Sequence, residues 1–157
     1  MPSTRNDLPD NTRKAMIALL NARLVDTIDL HLAVKQAHWN VKGPNFIALH
    51  ELFDQIQARV DAFADDIAER SVALAGVVAG TSQAVAKGTQ LEPYPTNVIE
   101  EKAHLQALAD RLAAYGKLAR EAIDAADEAG DKITADLFTG VSRQIDKDLW
   151  FIEAHLH

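Results

Sequence analysis

The sequence predicts an all-α protein, a four-helix bundle with one long crossover between its second and third helices. Three observations carry that prediction. Apolar residues recur at three- and four-residue intervals over long stretches, strand-like alternation is nowhere sustained, and a Gly- and Pro-rich break at 76–97 is too long for a tight hairpin. A chain of 157 residues suits one domain with a sizeable core. The expected division is a short flexible tail over 1–10 and a single domain over 11–157.

The elements follow in order. Ile17, Leu20, Leu24 and Ile28 lie at helical spacing in a first helix from about Asn11 to Val41. Gly43-Pro44 ends it, and Asn45 is a suitable N-cap for the next. The second helix carries Phe46, Leu49, Phe53, Ile56, Val60, Phe63 and Ile67, the alternating three-four spacing of a left-handed bundle. The break that follows has room for one short helix around Gln83–Lys87. A third helix presents Leu105, Leu108, Leu112, Tyr115 and Ala119. Gly130-Asp131 then leads into a fourth, with Leu137, Val141, Ile145, Leu149, Ile152 and Leu156.

Composition removes several classes of function. With no cysteine the chain has no disulfide framework and no thiolate-held zinc or iron–sulfur cluster. The longest near-continuous apolar stretch, Val72 to Ala79, is far short of the ~20 residues of a membrane span. Residues 1–14 are polar and show no signal peptide, so a soluble, cytoplasmic protein is expected. The net charge of −7 repels nucleic acid over most of the surface. The N-terminal tail sets Arg5, Arg13 and Lys14 against Asp7 and Asp10, a weak anchor for DNA.

The polar face of the second helix is the informative one. On an ideal helix His50, Asp54, Asp61, Asp65 and Glu69 cluster about 140° from the apolar stripe, pointing out of their own bundle. His50/Asp54 and Asp65/Glu69 are each i, i+4 pairs able to share an ion, yet Asp54 and Asp65 lie ~16 Å apart along the axis. One helix cannot bring both pairs to one metal. A two-fold axis near residues 59–60 would set each His50/Asp54 pair against the Asp65/Glu69 pair of a second chain, giving two identical sites per dimer. His38, near the end of the first helix, can join them. Two imidazoles and three carboxylates suit iron better than calcium or a thiolate-seeking metal. The plainer alternative is a solvated acidic helix face. His31 reads as packing or interface, His104, His155 and His157 as surface or frayed-end residues, and Trp39 and Trp150 as bundle or interface aromatics. A di-iron site inside one bundle fails on inventory. Glu101-x-x-His104 is the sole Glu-x-x-His motif in the helices, and the first helix holds no Glu.

These residues carry a resemblance. His38-Trp39-Asn40-Val41-x-Gly43, the run from Phe46 through His50-Glu51 to Asp54, and Asp65-x-x-Ala68-Glu69-Arg70 resemble the signature of the Dps family, the DNA-binding proteins from starved cells. Gly80-Thr81, Tyr94-Pro95 and Asp146-Lys147-x-Leu149-Trp150-Phe151 extend the likeness over nearly the whole chain. The resemblance implies a ferritin-like subunit of a hollow homododecamer built on two-fold dimers, which oxidises ferrous iron, preferably with hydrogen peroxide, and stores the ferric mineral. By motif match His38, His50 and Asp54 of one subunit bind iron with Asp65 and Glu69 of its two-fold mate. Trp39 matches an aromatic thought to intercept radicals or relay electrons. Glu128, Asp131 and Asp136 are candidates for a pore through which iron enters, with a helix cap as the other reading of Asp131, and Glu51 for the cavity wall. The chain departs from the strong DNA binders in having no Lys-rich extension. DNA binding and association with the nucleoid are therefore expected to be weak or conditional. The alternative from another class is a non-enzymatic protein that coats DNA.

Overall fold

In the computed structural model, which describes residues 1–157, five helices and no strand are present: α1 Asp10–Asn40, α2 Phe46–Ala73, α3 Ser82–Gly88, α4 Glu101–Glu128 and α5 Lys132–Glu153. α1 packs along α2 and α4 along α5, each pair antiparallel. α1 also touches α4 and α3, and α2 meets α5. The expected four-helix bundle and its crossover helix are both present, within a residue or two of the expected bounds.

The core divides into two clusters. One joins Leu30, Val34, Phe53, Ile56, Leu108, Leu112, Tyr115 and Ile145. The other, toward the α2 C-terminus, joins Met16, Leu20, Ile67, Leu74, Ala122 and Phe138. Each large side chain sealed here contributes on the order of 2 kcal/mol by leaving water. Two expected stripes shift in detail. On α2 the ends of the stripe loosen, with Phe46 exposed and Phe63 half-buried, while Ala64 is buried. On α5 the buried line runs Thr134, Phe138, Val141, Ile145, Asp148, Ile152, leaving Leu137 and Leu149 half-buried. The shift has a cause. Asp148 is sealed by Arg59 (2.6 Å) and Gln144 (3.0 Å), so a polar residue occupies an inward position that an apolar count passes over.

The α1–α2 turn sets the distance between the two helices that carry the histidines. Gly43 has φ 151°, and a Cβ there would lie 2.5 Å from the Glu101 carboxyl carbon. Glu101 accepts hydrogen bonds from the Asn45 backbone N–H (2.5 Å) and from Asn45 Nδ2 (3.1 Å). Asn45 does stand at the N-cap position of α2, but its side chain makes no capping bond and is spent on Glu101. A single isolated bridge between Lys42 and Glu100 pins the same corner to the start of α4.

Candidate metal centre

α1 and α2 run antiparallel, which sets the last turn of α1 beside the first turns of α2. There His38 and His50 grip each other reciprocally. His38 Nδ1 lies 2.7 Å from the His50 carbonyl oxygen, His50 Nδ1 lies 2.8 Å from the His38 carbonyl oxygen, and the rings stack at 3.7 Å between centroids. A carbonyl oxygen can only accept, so each Nδ1 carries the proton and donates it. In the neutral ring each Nε2 then keeps a free lone pair. This second bond is the one that orients a metal-ligating imidazole and fixes its tautomer.

Asp54 completes the group on this chain. Its Oδ1 sits 3.9 Å from His38 Nε2 and 2.9 Å from Lys35 Nζ. The Lys35 hydrogen bond, with help from its charge and the two imidazoles, holds the Asp54 carboxyl below the ordinary carboxylate range. Asp54 therefore presents a charged, half-exposed oxygen at neutral pH. Asp65 and Glu69 stand exposed on the same outer side of α2, three turns and more further on. They do not reach the histidines, and within one chain no three His, Asp or Glu side chains converge on a metal position. Trp39, beside His38, is 64% exposed, with Lys35 Nζ 6.0 Å from its ring centroid.

The comparisons with known proteins bear on this arrangement. A family model for the ferritin-like domain matches residues 17–157. A DNA protection during starvation protein of Agrobacterium fabrum is 50% identical over 153 residues, spanning 98% of this chain and 94% of that protein. This chain belongs to the ferritin-like Dps family. Solved structures of Dps proteins agree with its fold. The tetragonal form of Mycobacterium smegmatis Dps superposes with a TM-score of 0.94 at 33% identity, over 99% of this chain and 94% of that one. DpsC from Streptomyces coelicolor gives a TM-score of 0.95 at 30% identity, over 99% and 91%.

Other expected roles change once this Dps-family chain is seen folded. Asp131 is 1% exposed. It caps α5 through the N–H groups of Ile133 and Thr134 (both 3.1 Å), accepts the Thr134 hydroxyl, and receives Arg70 Nη2 on both carboxylate oxygens (2.9 and 3.0 Å). Burial alone would raise its pKa, but the Thr134 and Arg70 hydrogen bonds win, and the carboxyl sits below its usual range. With every oxygen engaged and no open face, Asp131 is a structural anchor between α2 and α5, not a residue lining a pore. Glu128 and Asp136 remain exposed. The Arg of Glu69-Arg70 thus holds the fold while its neighbour faces outward.

His104 also departs from expectation. It is fully buried, with Nδ1 2.6 Å from the Tyr94 hydroxyl, and burial pushes its imidazole below the ordinary value. Arg111 lies over the Tyr94 ring at 5.0 Å and donates to the Glu92 and Pro93 carbonyls, so this cluster fastens the end of the crossover onto α4. The spacing His104, Leu108, Leu112 already placed it on the buried side. Lys35 was not singled out from sequence. It stands on α1 one turn before His38, and only the helix pairing sets it against Asp54. His31 meets Gln57 Nε2 at 2.9 Å and lies between the two helices. No helix of the chain is long and apolar enough to cross a membrane.

Proposed function

We propose that this chain is an iron-storage and detoxification protein that oxidises Fe²⁺ to Fe³⁺, preferably with hydrogen peroxide. The oxidising sites lie between subunits of a hollow homo-oligomer, a dodecamer by family resemblance, which retains the ferric mineral and shields DNA from oxidative damage. Iron is the substrate and cargo, bound by His38, His50 and Asp54 of one subunit with Asp65 and Glu69 of its two-fold mate. The observation that carries this reading is the reciprocal His38–His50 clamp. Two stacked imidazoles with both Nδ1 protons spent on backbone carbonyls have been given the tautomer a metal needs, next to a charged carboxylate and open to the outside of the bundle.

The proposed reaction balances as 2 Fe²⁺ + H₂O₂ + 2 H⁺ → 2 Fe³⁺ + 2 H₂O. Each ferrous ion gives one electron, the O–O bond breaks, and two protons from solvent join the peroxide's own two in water. The chain's residues supply position and charge. The imidazoles are prefixed in direction, and the carboxylates favour the harder, more highly charged product ion. Glu128 and Asp136 are assigned to the acidic surface that draws Fe²⁺ in. Trp39, next to His38, is assigned as an electron relay.

The test is an iron titration of the assembled protein, with peroxide and separately with air, following ferric absorbance and particle mass. Rapid peroxide-driven oxidation with iron retained in the particle is expected, and Asp54→Ala or Glu69→Ala should abolish the rapid phase while the particle stays assembled. Unchanged stopped-flow traces in both variants would contradict the assignment.

A further inference from the structure

We propose that Glu101, on α4, is a positioning residue for iron oxidation: it caps α2 from outside that helix and so holds His50 against His38. The role rests on the iron site proposed above and adds to it a residue that touches no iron.

α2 carries His50, Asp54, Asp65 and Glu69, so its N-terminal turn sets the aim of the first of these ligands. That turn has no cap of its own. The Asn45 side chain makes no capping bond, and the first turn contains no acidic residue. Ala48 stands where a capping box would place a Glu or Gln. A helix start without such partners leaves backbone N–H groups unpaired.

Glu101 supplies what α2 lacks. Its Oε1 accepts the Asn45 backbone N–H, the bond that a capping-box Glu makes from within its own helix. Its Oε2 accepts Asn45 Nδ2 (3.1 Å). The carboxylate also lies at the positive end of the α2 dipole, where a negative charge is favoured. The seat is built around it. Gly43 has no side chain, and a Cβ there would meet Glu101 Cδ and Oε1 at 2.5 Å. The Lys42 N–H donates to the Ile99 carbonyl (2.7 Å), so residues 99–101 hold the turn on both sides of Gly43-Pro44.

The step from this cap to the iron site is short. The Asn45 carbonyl accepts the Leu49 N–H (3.0 Å), and Leu49 is sealed in the core immediately before His50. His50 then offers its carbonyl to His38 Nδ1 and donates its own Nδ1 proton to the His38 carbonyl (2.7 and 2.8 Å). Both bonds last only while the start of α2 keeps its distance from the end of α1. When the turn relaxes, each ring loses the partner that fixes its tautomer, and each Nε2 loses its aim. Asp65 and Glu69 lie about four turns and more beyond His50, so the histidine half of the site takes the damage.

The experiment uses the full, assembled chain. Hydrogen exchange of the 42–50 segment, Co²⁺ affinity by calorimetric titration and stopped-flow peroxide-driven iron oxidation are read together. Glu101→Ala should raise exchange in that segment, weaken Co²⁺ binding by about 10-fold and slow the rapid phase about as much, with particle mass unchanged. Glu101→Gln keeps an oxygen that accepts the Asn45 N–H, and should stay within about 3-fold of the parent. Thr12→Ala controls for stability alone: it drops a hydrogen bond to the Ala129 carbonyl at the far end of α1 and should leave Co²⁺ affinity and rate at the parent level. Co²⁺ affinity and oxidation in Glu101→Ala equal to those in Thr12→Ala would overturn the role, as would Glu101→Gln failing as badly as Glu101→Ala. His50→Ala, run alongside, separates this role from the site it serves. A slow His50→Ala with a fast Glu101→Ala leaves the iron site standing and removes the brace, whereas two fast variants remove the iron site and the brace with it.

Discussion

Two histidine clusters in this chain use the same side chain for opposite ends. At the rim of the α1–α2 pair, His38 and His50 commit Nδ1 to backbone carbonyls and leave Nε2 free beside Asp54. Where the crossover joins α4, His104 commits Nδ1 to Tyr94 and turns Nε2 into the interior. The first arrangement spends its hydrogen bonds to keep two lone pairs available. The second hides everything, and burial suppresses its charge. A histidine's role is thus set by which nitrogen remains and what that nitrogen faces, more than by the residues beside it in sequence.

The sharpest way to break the comparison is to truncate one histidine of each kind. His50→Ala is expected to slow peroxide-driven oxidation by about 10²-fold or more, with little change in thermal midpoint, because it removes an oriented ligand from a part-exposed rim. His104→Ala should do the reverse. Losing a fully buried ring and stranding the Tyr94 hydroxyl costs about 3 kcal/mol, lowering the midpoint by roughly 6–12 °C, while the assembled protein oxidises iron at the parent rate. Stopped-flow ferric absorbance and calorimetry on the same samples decide it. A large stability loss in His50→Ala, or a large rate loss in assembled His104→Ala, would dissolve the contrast.

Acid sharpens the contrast further. The folded-state pKa of His104 is lowered, so the unfolded chain takes up the proton first. This residue's contribution to stability is full above the unfolded value of about 6.5 and drains away as pH falls below it toward the folded value. Thermal midpoints measured from pH 7 down to pH 5 should therefore fall less steeply in His104→Asn than in the parent. Equal slopes would remove His104 from the acid response. The smallest effect is expected at Lys35. Its ammonium lies on the Asp54 oxygen that a metal would take, and Lys35→Met should raise affinity for Co²⁺ by only a few-fold, in line with the modest worth of an exposed ion pair. Calorimetric titration measures it, and weaker Co²⁺ binding would show that Lys35 assists the site instead of competing for it.

Much of this was legible in the sequence, for a physical reason. Helical periodicity reports which face is buried, so the bundle, the crossover helix and the outward aim of His50, Asp54, Asp65 and Glu69 follow from spacing. The same counting misjudges His104, because an imidazole on an apolar stripe counts as polar and hence exposed. It left Asp131 open between a pore and a cap, because acidic residues after a glycine turn look alike until Arg70, 61 residues away in sequence, is folded against one of them. It also could not see the reciprocal carbonyl bonds of His38 and His50, whose partners are backbone atoms brought together only by the turn around Gly43.

The central claim is that the oxidising site is divided between two chains, and mixing two dead variants tests it most directly. Asp54→Ala lacks a ligand from one half of the site and Glu69→Ala from the other, so neither assembly alone should show rapid oxidation. When the two are co-assembled, each mixed pair regains one intact site, and about a quarter of all sites should return for random mixing. Recovery of rapid peroxide-driven oxidation to roughly that level is the predicted result. A mixture as inactive as its two components, in particles shown by mass to contain both chains, would contradict it.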